Sequence, residues 1–128
     1  MTEDPTFLEA LTEHLDALSM RDLDRFAATL AADEVRLVGG EGGEIEGREN
    51  VIAAHREWFM DDTWIFSPEL VWTHEESGAA WALARVTYTE RSGKKLFWLL
   101  LLFIREDGAW KLVYDQNTPI ADVEPANG

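Results

Sequence analysis

Phe7, Leu8, Leu11, Leu15 and Leu18 recur at three- and four-residue spacing, with Glu9, Glu13 and Asp16 between them. This 3.6-residue period predicts an amphipathic helix over the first 19 residues, and Glu3 and Asp4 stand where a helix N-terminus favours negative charge. The phase breaks at Ser19 or Met20 and resumes from Arg21 to Leu30 through Leu23, Phe26, Ala27 and Leu30, so a short second helix follows a tight bend. Val35–Val38 alternates like a strand, the glycines of Gly39–Gly43 permit the positive φ of a hairpin, and Glu44–Glu46 returns. Val51, Ile52, Trp58 and Phe59 then define a third helix from Gly47 to about Met60, with His55 on the same stripe.

Beyond Asp61-Asp62 the period changes to two, over Trp64–Glu75, Ala80–Glu90, Leu96–Arg105 and Trp110–Asn117. The connections Ser77-Gly78, Arg91–Lys94 and Glu106–Gly108 are too short for crossover helices, so these strands are antiparallel hairpins. Pro68 places a bulge or a sheet edge in the first of them. Helices followed by a strand meander predict an α+β domain whose helices cover one face of a curved antiparallel sheet. Leu96–Ile104 is apolar on both faces, yet at nine residues is far short of the ~20 of a membrane helix. Its outer face is expected to be sealed by a second copy of the chain, so that Leu101→Glu or Phe103→Glu would break a homodimer.

The whole of 1–128 reads as one domain, with a core of about 6–120 and a flexible tail at 121–128. Eleven basic against 25 acidic residues give a formal net charge of -14, which argues against nucleic acid and anionic membrane surfaces as partners. Hydrophobic content of 46% with six Trp and six Phe argues for a packed core. The absence of Cys removes disulfides, thiolate nucleophiles and thiolate metal sites, and the opening residues lack an export signal, so the expected location is cytoplasmic.

Three segments carry a family likeness. Ser19–Phe26 running into Ala32–Val35, Glu46–Ile52 with its Gly47-Arg48-Glu49, and Gly108–Val113 followed by Gln116-Asn117-Thr118 together resemble the SnoaL-like branch of the nuclear transport factor 2-like superfamily, the SgcJ/EcaC-type group in particular. The resemblance spans about residues 6 to 120. It implies a cone in which a strongly curved antiparallel sheet wraps three helices from the first half of the chain around a deep, mostly apolar cavity, commonly in a homodimer. The fold hosts isomerases, dehydratases, cyclases and plain binders, so it leaves the activity open.

Asp115, near the end of the last strand, is the best general-base candidate, since an apolar cavity would raise its pKa; it could equally pair with Arg85 or cap the strand. His55 reads as a base, a donor to a bound carbonyl, or a satisfied core histidine. Arg85 either holds an anionic ligand or lies on the outer face, and His14 either lines the cavity or packs. Alternation puts Asp115 and Asn117 on one face and Tyr114 and Gln116 on the other, so only one pair can face the cavity. Trp64, Trp72 and Tyr88 are candidates for contact with a flat ligand. His14, His55 and His74 are scattered, with no metal-binding spacing, and no cofactor fingerprint occurs. The expected function is binding of an apolar small molecule, with proton transfer on a hydrophobic carbonyl compound by isomerase, lyase or cyclase chemistry. The alternative is a non-catalytic oligomerisation or carrier domain.

Overall fold

A computed structural model describes residues 5–120; the expected tail, Glu3 and Asp4 lie outside the described residues. Helix α1, Phe7–Ser19, starts in a reciprocal capping box: the Thr6 hydroxyl accepts from the Glu9 amide at 3.1 Å, and the Glu9 carboxylate accepts from the Thr6 amide at 2.9 Å. Helix α2, Leu23–Ala28, is capped by Asp22, whose carboxylate accepts from the Arg25 amide. The bend between them passes through Arg21 at φ 54°. Strands β1, Arg36–Val38, and β2, Glu44–Glu46, form the glycine hairpin. Helix α3, Arg48–Phe59, follows Gly47, whose φ of 96° suits glycine.

Four long strands complete the chain: β3, Ile65–Glu75; β4, Ala79–Glu90; β5, Gly93–Glu106; and β6, Ala109–Pro119. The sheet order is β2-β1-β6-β5-β4-β3. The expectation of a purely antiparallel sheet is corrected at one pair, since β1 runs parallel to β6, with Leu37 opposite Asp115. The meander pairs neighbours in sequence, whereas this pairing joins distant parts of the chain, and no local pattern announces it. Pro68 sits on the edge strand β3, the position in a sheet that tolerates proline, and the strand also carries a bulge, as the sequence led one to expect.

Burial separates the faces of the sheet. Ala80, Ala82, Ala84 and Val86 of β4 and Leu99, Leu101 and Phe103 of β5 are buried on the inner face, where Phe103 meets Phe7 of α1 edge to face. Trp81, Leu83, Trp98, Leu100, Leu102 and Ile104 alternate with them on the outer face and are only half-buried. Leu101 and Phe103 therefore belong to the core, so their replacement by Glu tests folding rather than a dimer; the outward residues of β5 are its neighbours Leu100, Leu102 and Ile104.

Two bulges decide which side chains face inward. In β6 the register slips between Leu102 and Phe103 of its partner, so Leu112 lies opposite Phe103 while Asp115 lies opposite Leu101 and Asn117 opposite Leu99. Trp110 and Leu112 point inward before the slip, and the odd-numbered Asp115 and Asn117 after it. In β3 a slip between Leu70 and Trp72 reverses the alternation in the same way, moving Trp72 and His74 to the outer face opposite Leu83 and Trp81.

Candidate functional site

The inner face of the sheet and α3 enclose a chamber of about 340 Å³. Its apolar walls include Leu18, Ile45, Phe66, Phe97 and Leu99, and its polar groups come from His55, Trp58, Tyr88, Asp115 and Asn117. Leu37, Gly39, Gly40, Ile45, Phe97 and Asn117 also line a vestibule of about 550 Å³ at the β1–β2 hairpin, which adjoins the chamber. Glu41, Glu44 and Lys95 stand at the vestibule, where Lys95 is paired with Glu90 at 3.0 Å.

Asp115 is 5% exposed. Burial pushes its carboxyl up to about 7, against a smaller opposing effect of the hydrogen bond from the Asn117 amide, which donates to Asp115 Oδ1 at 2.9 Å. The same Asn117 nitrogen donates to the Val38 carbonyl at 3.0 Å, tying the site to β1. Near neutral pH the carboxyl is therefore balanced between a proton donor and a base.

His55 presents its ring from α3, stacked on Phe26 at 4.0 Å between centroids. Its Nδ1–H donates to the Val51 carbonyl one turn earlier, at 2.8 Å. A carbonyl oxygen only accepts, so Nδ1 carries the proton and Nε2 of the neutral ring is an acceptor. Burial holds the imidazole down at about 4. The expectation that His55 donates to a bound carbonyl is thus corrected: the neutral ring can only accept from a ligand.

Tyr88 reaches the chamber from β4. Its hydroxyl oxygen accepts from Trp58 Nε1 at 3.0 Å, while its own proton has no acceptor among the described residues. Burial raises its pKa and keeps it protonated. Trp58 is held by stacking on Trp64 at 4.2 Å and an interplanar angle of 12°, and Trp64 Nε1 donates to the Trp58 carbonyl at 3.1 Å. The Arg21 guanidinium lies 4.3 Å from the Trp64 ring centroid and bonds the Trp64 carbonyl, locking the stack from behind.

Of the residues singled out from the sequence, Asp115, His55, Tyr88 and Asn117 line the chamber. The others do not. Arg85 is exposed on the outer face, and Tyr114 points outward, donating to Gln116 at 2.6 Å. Trp72 is 49% exposed, turned out by the β3 bulge. Trp64 supports the wall from behind Trp58. His14 is fully buried and does not line the chamber. The Thr29 hydroxyl donates to the Phe26 carbonyl at 2.6 Å and so accepts from His14 Nδ1 at 2.8 Å, while His14 Nε2 is sealed without a partner. Trp58 was missed as a site residue, although it lies three positions after His55 on the same helical stripe. Among the described residues no group of three or more His, Cys, Asp or Glu is placed to hold a metal ion, and no helix is long and apolar enough to cross a membrane.

The family model described as a SnoaL-like domain matches residues 8–121. The chain belongs to the SnoaL-like domain family. This places it in the nuclear transport factor 2-like superfamily. No curated protein matches the sequence significantly. Solved structures similar to this SnoaL-like chain include one from Thiobacillus denitrificans, named provisionally as a calcium/calmodulin-dependent protein kinase type II association domain. It has a TM-score of 0.80 and 19% identity, over 94% of this chain and 99% of that one. A nuclear transport factor 2-like protein of unknown function from Pseudomonas putida KT2440 follows at TM-score 0.77 and 16% identity, over 91% and 86%. A ketosteroid isomerase-like protein from Erwinia carotovora atroseptica matches at TM-score 0.73 and 17% identity, over 88% and 92%. At these identities the likeness establishes the SnoaL-like fold alone.

Proposed function

We propose that this SnoaL-like protein binds an apolar or aromatic carbonyl compound in the chamber and that Asp115 moves a proton on it, in chemistry of the isomerase, lyase or cyclase type. The observation that carries this reading is a lone carboxyl, 5% exposed and poised at about 7, on the wall of an apolar hollow. In the ionised state it removes a proton from the carbon next to the carbonyl. The electron pair moves onto the carbonyl oxygen, toward which the free Tyr88 O–H supplies a hydrogen bond. Return of the proton to another carbon, or loss of a leaving group, completes the reaction.

Deuterium exchange tests this. In D2O the protein is expected to accelerate exchange at the α-carbon of a bicyclic aryl ketone such as 2-tetralone, read by proton NMR, and Asp115→Asn to slow it by roughly 10²–10⁴-fold. Equal rates in the two proteins would overturn the catalytic reading and leave a carrier.

The same proposal includes a homodimer through the outer sheet face. Trp98, Leu100, Leu102 and Ile104 of β5 and Trp81 and Leu83 of β4 form a contiguous apolar surface there. The helices pack on the opposite face, as the Phe7 contacts with Phe103 and Trp110 illustrate. A second copy is the partner whose surface matches this one by symmetry.

A further inference from the structure

The proposed proton transfer uses Asp115 and Tyr88 and leaves one polar group of the chamber without a task. His55 Nδ1 is committed to the Val51 carbonyl, so its free nitrogen is a lone pair. His14 offers a contrast inside the same molecule: its Nε2 is sealed from any partner, whereas Nε2 of His55 is not sealed, and His55 is one of the residues that line the chamber. An acceptor held in an apolar wall, with its ring fixed by the Phe26 stack and the Val51 bond, is satisfied only by a ligand donor or a water molecule. The chamber lining contains no Lys or Arg, and its one carboxyl is Asp115. A ligand carboxylate or phenolate would therefore meet a lone pair at His55 and no counter-charge.

We infer that His55 is a specificity-determining residue: its Nε2 accepts a hydrogen bond from a hydroxyl or N–H of the ligand, which is an uncharged hydroxylated or amino-substituted aromatic compound. This rests on the ligand-binding reading above and adds to it the group that the ligand must carry. A pocket that leaves a buried acceptor unpaired rejects the analogue lacking the donor, whereas the apolar walls hold both analogues alike.

The test is a calorimetric titration of the full chain at neutral pH with three compounds of one ring system: 2-naphthol, 2-methoxynaphthalene and 2-naphthoate. The first is a neutral donor, the second is similar in shape without a donor, and the third is an anion. 2-Naphthol is expected to bind at least about tenfold more tightly than either of the others, the loss that one unpaired buried acceptor imposes. In His55→Phe, which keeps a flat ring on Phe26, the preference over 2-methoxynaphthalene is expected to fall to within about twofold, with binding of the ether unchanged. Equal affinity for naphthol and its ether in the native protein, or tight binding of naphthoate, overturns the role of His55 while leaving the chamber a binding site. A naphthol preference that survives in His55→Phe overturns it too. Failure of all three compounds to bind overturns the ligand-binding reading itself. The native-protein series decides the matter without the variant, should His55→Phe not fold.

Discussion

Replacing Asp115 by Asn should make the protein more stable, and increasingly so as pH rises. The folded state holds the Asp115 carboxyl at about 7, against an ordinary value of 3.8. Between those values the folded protein keeps a proton that the unfolded chain has released, so native stability falls as pH rises through that window. At about 1.4 kcal/mol per pH unit, the full penalty above pH 7 comes to about 4 kcal/mol. His14 and His55 act in the opposite sense. Their folded values are lowered from 6.5 to about 3 and about 4, chiefly by burial. Below pH 6.5 the unfolded chain therefore takes up protons that the folded state refuses, and stability falls as pH falls.

The native curve mixes these terms, but the difference between Asp115→Asn and the native protein cancels the histidines and isolates the carboxyl. The Asn side chain retains an oxygen to accept from Asn117, so packing is preserved. Urea unfolding followed by tryptophan fluorescence, from about pH 5.5 to about pH 8.5, should show the advantage of the variant growing by about 2 kcal/mol and levelling off above pH 7. A difference that stays constant with pH would refute the argument that burial holds this carboxyl protonated.

Further expectations follow from the same geometry. Leu100→Glu or Leu102→Glu, on the outer face, should yield a folded monomer by analytical ultracentrifugation; sedimentation as a native-like dimer would remove the proposed interface. Phe103→Ala, at an inner position with no exposure, should cost about 3–5 kcal/mol in urea unfolding, and a loss under about 1 kcal/mol would contradict its place in the core. Trp58→Phe removes the donor to Tyr88 but keeps an aromatic ring on Trp64; a loss of about 1 kcal/mol is expected, and a loss of more than about 3 would mean that the indole ring itself, not its N–H, holds the wall. The rate of ketone exchange should rise with pH through about 7 as Asp115 ionises, and a profile centred near 4 would point to an exposed carboxylate instead.

The helices and the four long strands were legible because each rests on a local period: 3.6 in Phe7–Ser19 and Arg48–Phe59, and two in the strands. What escaped the sequence are the non-local and phase-changing features. The parallel pairing of β1 with β6 depends on where two distant segments meet. The β6 bulge reverses the inward face partway along the strand, so alternation counted from Leu112 would send Tyr114 inward and Asp115 outward, whereas Pro68 did signal the edge and bulge of β3 but not where its register slips. Trp72 illustrates the same limit, because its sequence neighbourhood looks like core and a one-residue slip turns it to solvent. The protonation pattern of His55 depends on a carbonyl that helix geometry places beneath it, and residue type alone cannot show which nitrogen is free.

The central claim is that Asp115 is a buried carboxyl at a ligand-facing position. The most direct measurement is the carbon-13 NMR titration of its side-chain carboxyl, without ligand and with saturating 2-naphthol, using Asp115→Asn to assign the signal. The account predicts a midpoint near 7 in the free protein, displaced when the aromatic compound fills the chamber. A midpoint in the ordinary aspartate range near 4, unmoved by the ligand, would contradict it.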